Sequence, residues 1–318
     1  MKLGIVGSGM IVNEVLSFID EIEFDEIYLC GREKSRGKLE ELAKKYSINQ
    51  IFTDYDEFLK SDVDLIYIGI VNDLHFDYAK RALNAGKNVM VEKPAAISAA
   101  QVKELCALAR EKAVFFFEAL SIYYMPAFLQ LQKDVNLVGN VRIVNFNYSQ
   151  RSSRYDRFVE GDIVPVFDPK HYGGALRDLN IYNISTMVGL FGKPDHVSYS
   201  PNMINGIDVS GVLTADYGEF TCVCIGAKDC NAPGPSTIQG DAATICIYPV
   251  VNGMTEYDVL FNDADTETKE VDMGDGSHRL YYEFDSIKKM IENGDKDSCY
   301  KHMIDTITVA EIIDEALA

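Results

Sequence analysis

Short apolar runs alternate with amphipathic stretches through the first 120 or so residues. KLGIVGS, DEIYLCG, DLIYIGIV, NVMVEKP and VFFFEAL read as strands, and Ile51 with Phe52 as a short one. MIVNEVLSFID, SRGKLEELAKKYS, YDEFLKS, LHFDYAKRALNAG and SAAQVKELCALAREKA carry helical spacing between them. DLIYIGIV is apolar without alternation, as a parallel strand buried on both faces requires. Gly86 is placed to close one helix and Ser98 to cap the next. Repeated strand–helix units predict a doubly wound parallel sheet.

The pattern changes near residue 120. VRIVNFNYSQ reads as a long strand, Arg151 to His171 as a polar loop, and GGALRDLNIYNISTMVGLFG as a helix ending at Gly192. HVSYSP, DVSGVLTADYG, EFTCVCIGA, ATICIYPVV and EYDVLFND then read as strands of an antiparallel sheet, and the tail returns to helix. Two domains are therefore predicted, α/β over 1–120 and α+β over 121–318. The last helix is free by pattern to pack on either.

Composition narrows the partners. The formal charge is −19, and phosphate-backbone binding needs clustered Lys and Arg. Nucleic acid and anionic membranes are disfavoured, so any cationic contacts to a ligand must be local. No run of about 18 apolar residues predicts a membrane helix. The N-terminus lacks a signal-peptide pattern, and the seven cysteines are odd in number, so reduced thiols and a cytoplasmic location are expected. Alternation puts Cys222 and Cys224 on one strand face. No histidine or second Cys pair completes a tetrahedral set, so core cysteines are expected and no metal site.

Candidate chemistry gathers at strand ends. Gly7-Ser8-Gly9-Met10-Ile11 joins the first strand to the first helix. Glycine there permits a tight turn and close approach of a pyrophosphate to the helix start. Val12 replaces the small third residue of the fingerprint. The second strand ends Cys30-Gly31-Arg32 with no carboxylate for a ribose 2′-hydroxyl, and a guanidinium suits a 2′-phosphate. The expected cofactor is NADP, with NAD the alternative. Asn72, at the end of the fourth strand, is a candidate for cofactor ribose or phosphate. His75 and Glu92 join it as cofactor-end candidates, although an isolated histidine in the following helix is more simply structural. Lys93 closes the apolar fifth strand before Pro94. Near a positively charged nicotinamide its ammonium form would be disfavoured, so it could share a proton with a substrate hydroxyl. Asp178 and Tyr182 lie four apart, on one face of a helix. Spacing alone leaves them a surface Asp and a half-buried Tyr.

In this order GIVGSG, Asn72-x-x-His75, AGKNVMVEKP and GGALRDLNIY closely resemble the glucose–fructose oxidoreductase / inositol dehydrogenase / rhizopine-catabolism family, in its dihydrodiol-dehydrogenase-like branch. The resemblance runs from residue 1 to about 200, with Glu92-Lys93-Pro94 its most specific element. It implies a Rossmann domain followed by a domain with a large, mostly antiparallel open sheet. It further implies hydride transfer between NAD(P) and a secondary alcohol of a sugar, polyol or diol. By resemblance Lys93, Asp178 and Tyr182 are the catalytic residues and contact substrate, the tyrosine form agrees with NADP, and the open sheet pairs subunits into a homodimer or larger homo-oligomer. Asn180 replaces the usual Gly, Ile70-Val71 the usual Thr-Pro, and Tyr123 and Met125 an Arg and a His. Tyr123 is therefore a candidate substrate-pocket residue. A dinucleotide-sensing regulator and an NAD-dependent glycoside hydrolase, both known in the family, are the rival readings.

Overall fold

A computed structural model describes residues 1–162 and 164–318. The chain divides into two compact units, Met1–Ala119 with Leu280–Ile307, and Leu120–Arg279 with Thr308–Ala318. Residues 280–307, most of the C-terminal helical tail, thus group with the first unit. Its apolar spacing shows a helix with a buried face but not which sheet receives that face.

In the first unit the strands are β1 (Lys2–Val6), β2 (Glu26–Cys30), β3 (Gln50–Phe52), β4 (Leu65–Ile68), β5 (Asn88–Glu92) and β6 (Phe116–Ala119). Between them run α1 (Met10–Leu16), α2 (Arg36–Lys45), α3 (Tyr55–Leu59), α4 (Asn72–Asn84) and α5 (Ala99–Glu111). The order is β3-β2-β1-β4-β5-β6 and every pairing is parallel. This is the doubly wound nucleotide-binding order, which reverses between β1 and β4 and opens a crevice at their carboxyl ends. The all-apolar β4 is buried throughout. Asp54 caps α3 through Asp56 N and Glu57 N, and Ser98 caps α5 through Gln101 N. Gly86, at φ +73°, follows α4 in the left-handed conformation that terminates a helix.

The second unit holds α6 (Pro126–Asp134), β7 (Val141–Ser149), α7 (Tyr155–Val159), a π-turn at Leu176–Asn180 and α8 (Ile181–Phe191). There follow β8 (His196–Ile204), β9 (Ile207–Asp216), β10 (Thr221–Ala227), β11 (Ser236–Gly240), β12 (Ala243–Ile247), β13 (Glu256–Phe261) and β14 (Lys269–Asp272). Their order is β14-β13-β12-β11-β7-β10-β9-β8, antiparallel except for the parallel pair β7–β10. The strands β11 and β14 escape the apolar pattern because STIQG and KEVD are short and carry one large apolar side chain each. One face is covered by α8, whose residues 181–188 are buried. Cys222 and Cys224 point into that core with no solvent exposure. The stretch 151–171 is not simply a polar loop. It contains α7 and two 3-10 turns, and Phe158 and Phe167 stack at 4.6 Å in a core with Ile207 and Val209. The helices α9 (Arg279–Glu292) and α10 (Lys296–Ala316) complete the chain. Among the described residues no helix is long and apolar enough to cross a membrane.

Candidate active site

Three glycines extend the strand ladders beyond the carboxyl ends of β1, β2 and β4. Gly7 N donates to Cys30 O, Gly69 N to Val6 O and Gly31 N to Phe52 O, at 2.8, 2.9 and 3.0 Å. Gly7 has φ +126°, and a Cβ there would lie 2.3 Å from the Gly69 carbonyl oxygen. No other residue fits that turn. In front of Gly9 nothing would meet a Cβ within 4 Å. Gly9 caps α1 without a side-chain hydrogen bond, so the first amides of the helix are left for a ligand. The substitution of Val12 for the third fingerprint glycine is accommodated locally: its Cγ2 would be 3.0 Å from a Cβ on Gly69, so the missing side chain at 69 makes the room.

These elements line a groove of about 400 Å³. Gly7, Ser8, Gly9, Met10, Ile11, Gly31 and Arg32 all belong to its wall. Ser35, Lys38, Thr53, Tyr55 and Tyr78 also line it, and sequence reasoning missed them. Ser35 precedes α2 and Lys38 lies in its first turn, so a polar helix start five residues beyond Gly31 was the available signal. No carboxylate lines the groove. Glu33, next to Arg32, is engaged by Arg36 at 2.7 and 2.8 Å, which holds its carboxyl down at about 2. Arg32 and Lys38 make no ion pair among the described residues and are exposed. The open turn before Gly9 and the cationic rim fit a dinucleotide phosphate on observed geometry, without recourse to motif.

Asn72, His75 and Glu92 are not in the groove wall. Asn72 begins α4. Glu92 accepts from Tyr67 Oη at 2.6 Å at the end of β5. His75 is 1% exposed and both ring nitrogens face backbone carbonyls, Pro94 O at 2.8 Å and Ile70 O at 3.1 Å. Burial lowers its pKa. It therefore ties two strand-end loops together, a structural place in which a cofactor contact is not needed to explain it. Lys93 follows β5, half-buried, and its peptide bond to Pro94 is cis.

In the second unit Asp178 lies in the π-turn and Tyr182 in the first turn of α8. The local cause of the wide turn is Asn180. Its Nδ2 donates to Cys224 O at 3.0 Å, and its Cβ fills the space that Gly226 leaves on β10. Asn183 Nδ2 adds bonds to Asn180 Oδ1 and Ile225 O at 2.8 and 2.9 Å. A polar residue where glycine is usual thus anchors the helix start to the sheet. π-Turns recur at functional positions. Lys228, just beyond β10, is 2% exposed. Its Nζ donates to Asp178 Oδ2 at 2.6 Å and to Val166 O at 2.7 Å, and lies 4.5 Å from the Phe167 ring centroid. Sequence reasoning missed Lys228, yet the signal was the one that singled out Lys93: a charge ending an apolar strand. Tyr182 is 7% exposed, its ring 5.8 Å from that of Tyr148. Tyr123 is 7% exposed. Its hydroxyl donates to Ser185 O at 3.1 Å and its ring packs 6.0 Å from Phe128, so it is part of the core of this unit. An apolar helix surface at Gly189 takes the ring, and the sequence could not place that partner.

The fold and groove define a dinucleotide-binding oxidoreductase. Residues 1–120 match the Gfo/Idh/MocA model of an oxidoreductase family with an NAD-binding Rossmann fold, and the chain belongs to that family. It is 29% identical over 318 residues to the scyllo-inositol 2-dehydrogenase (NADP(+)) IolU of Bacillus subtilis, covering 99% of this chain and 96% of that one. It is 27% identical to the trans-1,2-dihydrobenzene-1,2-diol dehydrogenase of Xenopus tropicalis, with 99% and 97% covered. The KijD10 3-ketoreductase of Actinomadura kijaniata, solved with NADP, shares the fold with a TM-score of 0.79 at 17% identity, over 99% and 96% of the two chains. The protein is an NAD(P)-dependent oxidoreductase.

Proposed function

We propose that the chain oxidises a secondary alcohol of a sugar, polyol or diol, reversibly, with NADP preferred to NAD. The observation that carries the cofactor preference is the groove rim: Arg32 and Lys38 form no ion pair among the described residues, and no carboxylate is in the groove lining. A 2′-phosphate supplies the charge those cations lack, whereas the 2′-hydroxyl of NAD gives them little. The polyol and diol classes are supported by the activities of the relatives from Bacillus subtilis and Xenopus tropicalis.

The bound nicotinamide supplies the hydride acceptor or donor. The proton side is assigned to this chain's own groups. Lys93 takes or returns the hydroxyl proton. Tyr182 is the partner phenol, and Asp178 accepts a hydrogen bond that orients the hydroxyl. Lys228 donates to Asp178 through a direct ammonium contact, which suits a carboxylate that accepts hydrogen bonds. Glu92 and Asn72 flank the cofactor end. A homodimer is supported by the open face of the eight-stranded sheet, where Ile143, Val212 and Leu260 are exposed. A reducing compartment such as the cytoplasm suits seven free cysteines, five of them buried.

The test is oxidation of a panel of polyols, sugars and cyclic diols with each cofactor, followed by the absorbance of the reduced nicotinamide. Turnover of one class with a kcat/KM at least about tenfold higher for NADP, the worth of one charge-assisted contact, supports the reading. Nucleotide binding without turnover on any member overturns it.

A further inference from the structure

A buried carboxyl sits behind the turn that follows β5. Glu118, on β6 beside Val91 of β5, is 7% exposed. Its Oε1 accepts from the backbone N–H of Ala95 at 2.7 Å, and its Oε2 is buried with no hydrogen-bond partner. The peptide that makes this bond is the Pro94–Ala95 unit, one residue beyond Lys93. The other end of the same peptide, the Pro94 carbonyl, faces His75 Nδ1 at 2.8 Å. A neutral imidazole has one N–H, and the shorter contact puts it on Nδ1. One peptide plane is thus held at both ends, its C=O by a ring N–H from α4 and its N–H by a carboxyl from β6. The peptide dipole has its negative end toward His75 and its positive end toward Glu118, so it favours an ionised Glu118.

We propose that Glu118, with His75 on the opposite end of the same peptide, is a positioning residue for Lys93: it fixes the turn from which the lysine leaves β5, and its charge biases the lysine's proton. The bias rests on the reading of Lys93 as the proton-handling group. Groups facing Glu118 are few. Glu92 and Lys93 come from the end of β5, Cys106 from α5, and the Thr306 hydroxyl from α10. Burial pushes the Glu118 carboxyl up to about 7, Glu92 adds to the rise, and the bond from Ala95, the nearby Thr306 hydroxyl and the Lys93 charge oppose it. The Cys106 thiol is pushed up to about 12 by burial and stays neutral. Near pH 7 Glu118 therefore passes between neutral and anionic, and the anion favours the ammonium form of Lys93.

Two readouts on the full chain, with NADP bound, test this without a substrate. The first is the pH dependence of Lys93 acetylation by acetic anhydride, read by peptide mass spectrometry. In Glu118→Gln the amide oxygen still accepts from Ala95 but carries no charge. The midpoint for Lys93 is expected to fall by about half a pH unit or more, the direction for loss of a nearby anion. The second is hydrogen exchange of the Ala95 amide, expected about tenfold faster in Glu118→Leu, which has no acceptor, and unchanged in Glu118→Gln. An unchanged Lys93 profile in Glu118→Gln overturns the proposal, and that variant alone decides if Glu118→Leu does not fold. Unaltered Ala95 exchange in a folded Glu118→Leu also overturns it. Turnover of Lys93→Met, measured in parallel, separates the two failures: an active Lys93→Met sinks the reading of Lys93, whereas an inactive one with an unchanged Glu118→Gln profile sinks the positioning role alone.

Discussion

The two units build functional geometry by different means. In the first, the groove is backbone: glycines at the ends of β1, β2 and β4, an uncapped helix start and a ring of carbonyl-to-amide bonds. In the second, the helix that carries Asp178 and Tyr182 is set by side chains reaching from distant strands, Lys228 to Asp178 and Asn180 to Cys224. A backbone site is intolerant of any added atom. A side-chain site tolerates change in the neighbours but fails when one specific partner is removed.

The comparison is broken most directly at Gly7. Gly7→Ala puts a methyl 2.3 Å from the Gly69 oxygen at a positive φ. It should cost on the order of 3 kcal/mol of stability and weaken NADPH binding by more than tenfold, as seen by denaturant unfolding and fluorescence titration. Retention of wild-type binding would show that the turn is not what receives the cofactor.

Lys228→Met is the matching change in the second unit. It leaves Asp178 without its ammonium partner in a half-buried place, and about 2–3 kcal/mol of stability should go with it, somewhat below the full penalty for an enclosed pair. Turnover should fall while NADPH affinity is unchanged. Equal loss of cofactor affinity would contradict the division of labour.

Glu118→Gln sharpens the comparison through pH. The carboxyl has a folded value of about 7 against 4.5 for the ordinary group. Its folded state holds the proton more tightly, so stability is full below about pH 4.5 and falls as pH rises through 7. The wild type should lose on the order of 2–3 kcal/mol across that window that the Gln variant keeps. Melting curves of both proteins at pH 5 and pH 8 check this. Parallel losses in the two would remove Glu118 as the cause.

The smallest effect is at the rim of the groove. Arg32→Ser with Lys38→Ser should raise KM for NADP by about tenfold and alter KM for NAD by less than about threefold, since each contact is exposed and screened. Equal changes for both cofactors would mean that the two cations do not meet the 2′-phosphate.

How much of this was legible follows from the same contrast. The parallel sheet, its strand ends and the glycines of the first groove repeat a local pattern, because apolar runs, helix spacing and a turn residue at φ +126° lie within a few residues of one another. Ser35, Lys38 and Thr53 were not legible as groove residues because α2 and β3 bring them there from beyond the motif. Lys228 and Asp178 are 50 residues apart, and nothing in the local pattern joins them. Tyr123 bonds to Ser185 O and packs against Phe128, and the more distant of these partners, Ser185, is not announced by its own segment. The short polar strands β11 and β14 were hidden because the sheet's hydrogen bonds, and not their own residues, hold them.

The central claim is that Lys93 handles the proton of an NADP-dependent alcohol oxidation. Lys93→Met is the measurement: kcat on the best alcohol of the panel, with NADPH affinity by titration on the same protein. The account predicts a fall in kcat of about a thousandfold, within the range for loss of a general acid–base group, and NADPH affinity within about twofold. Turnover near wild type would contradict it.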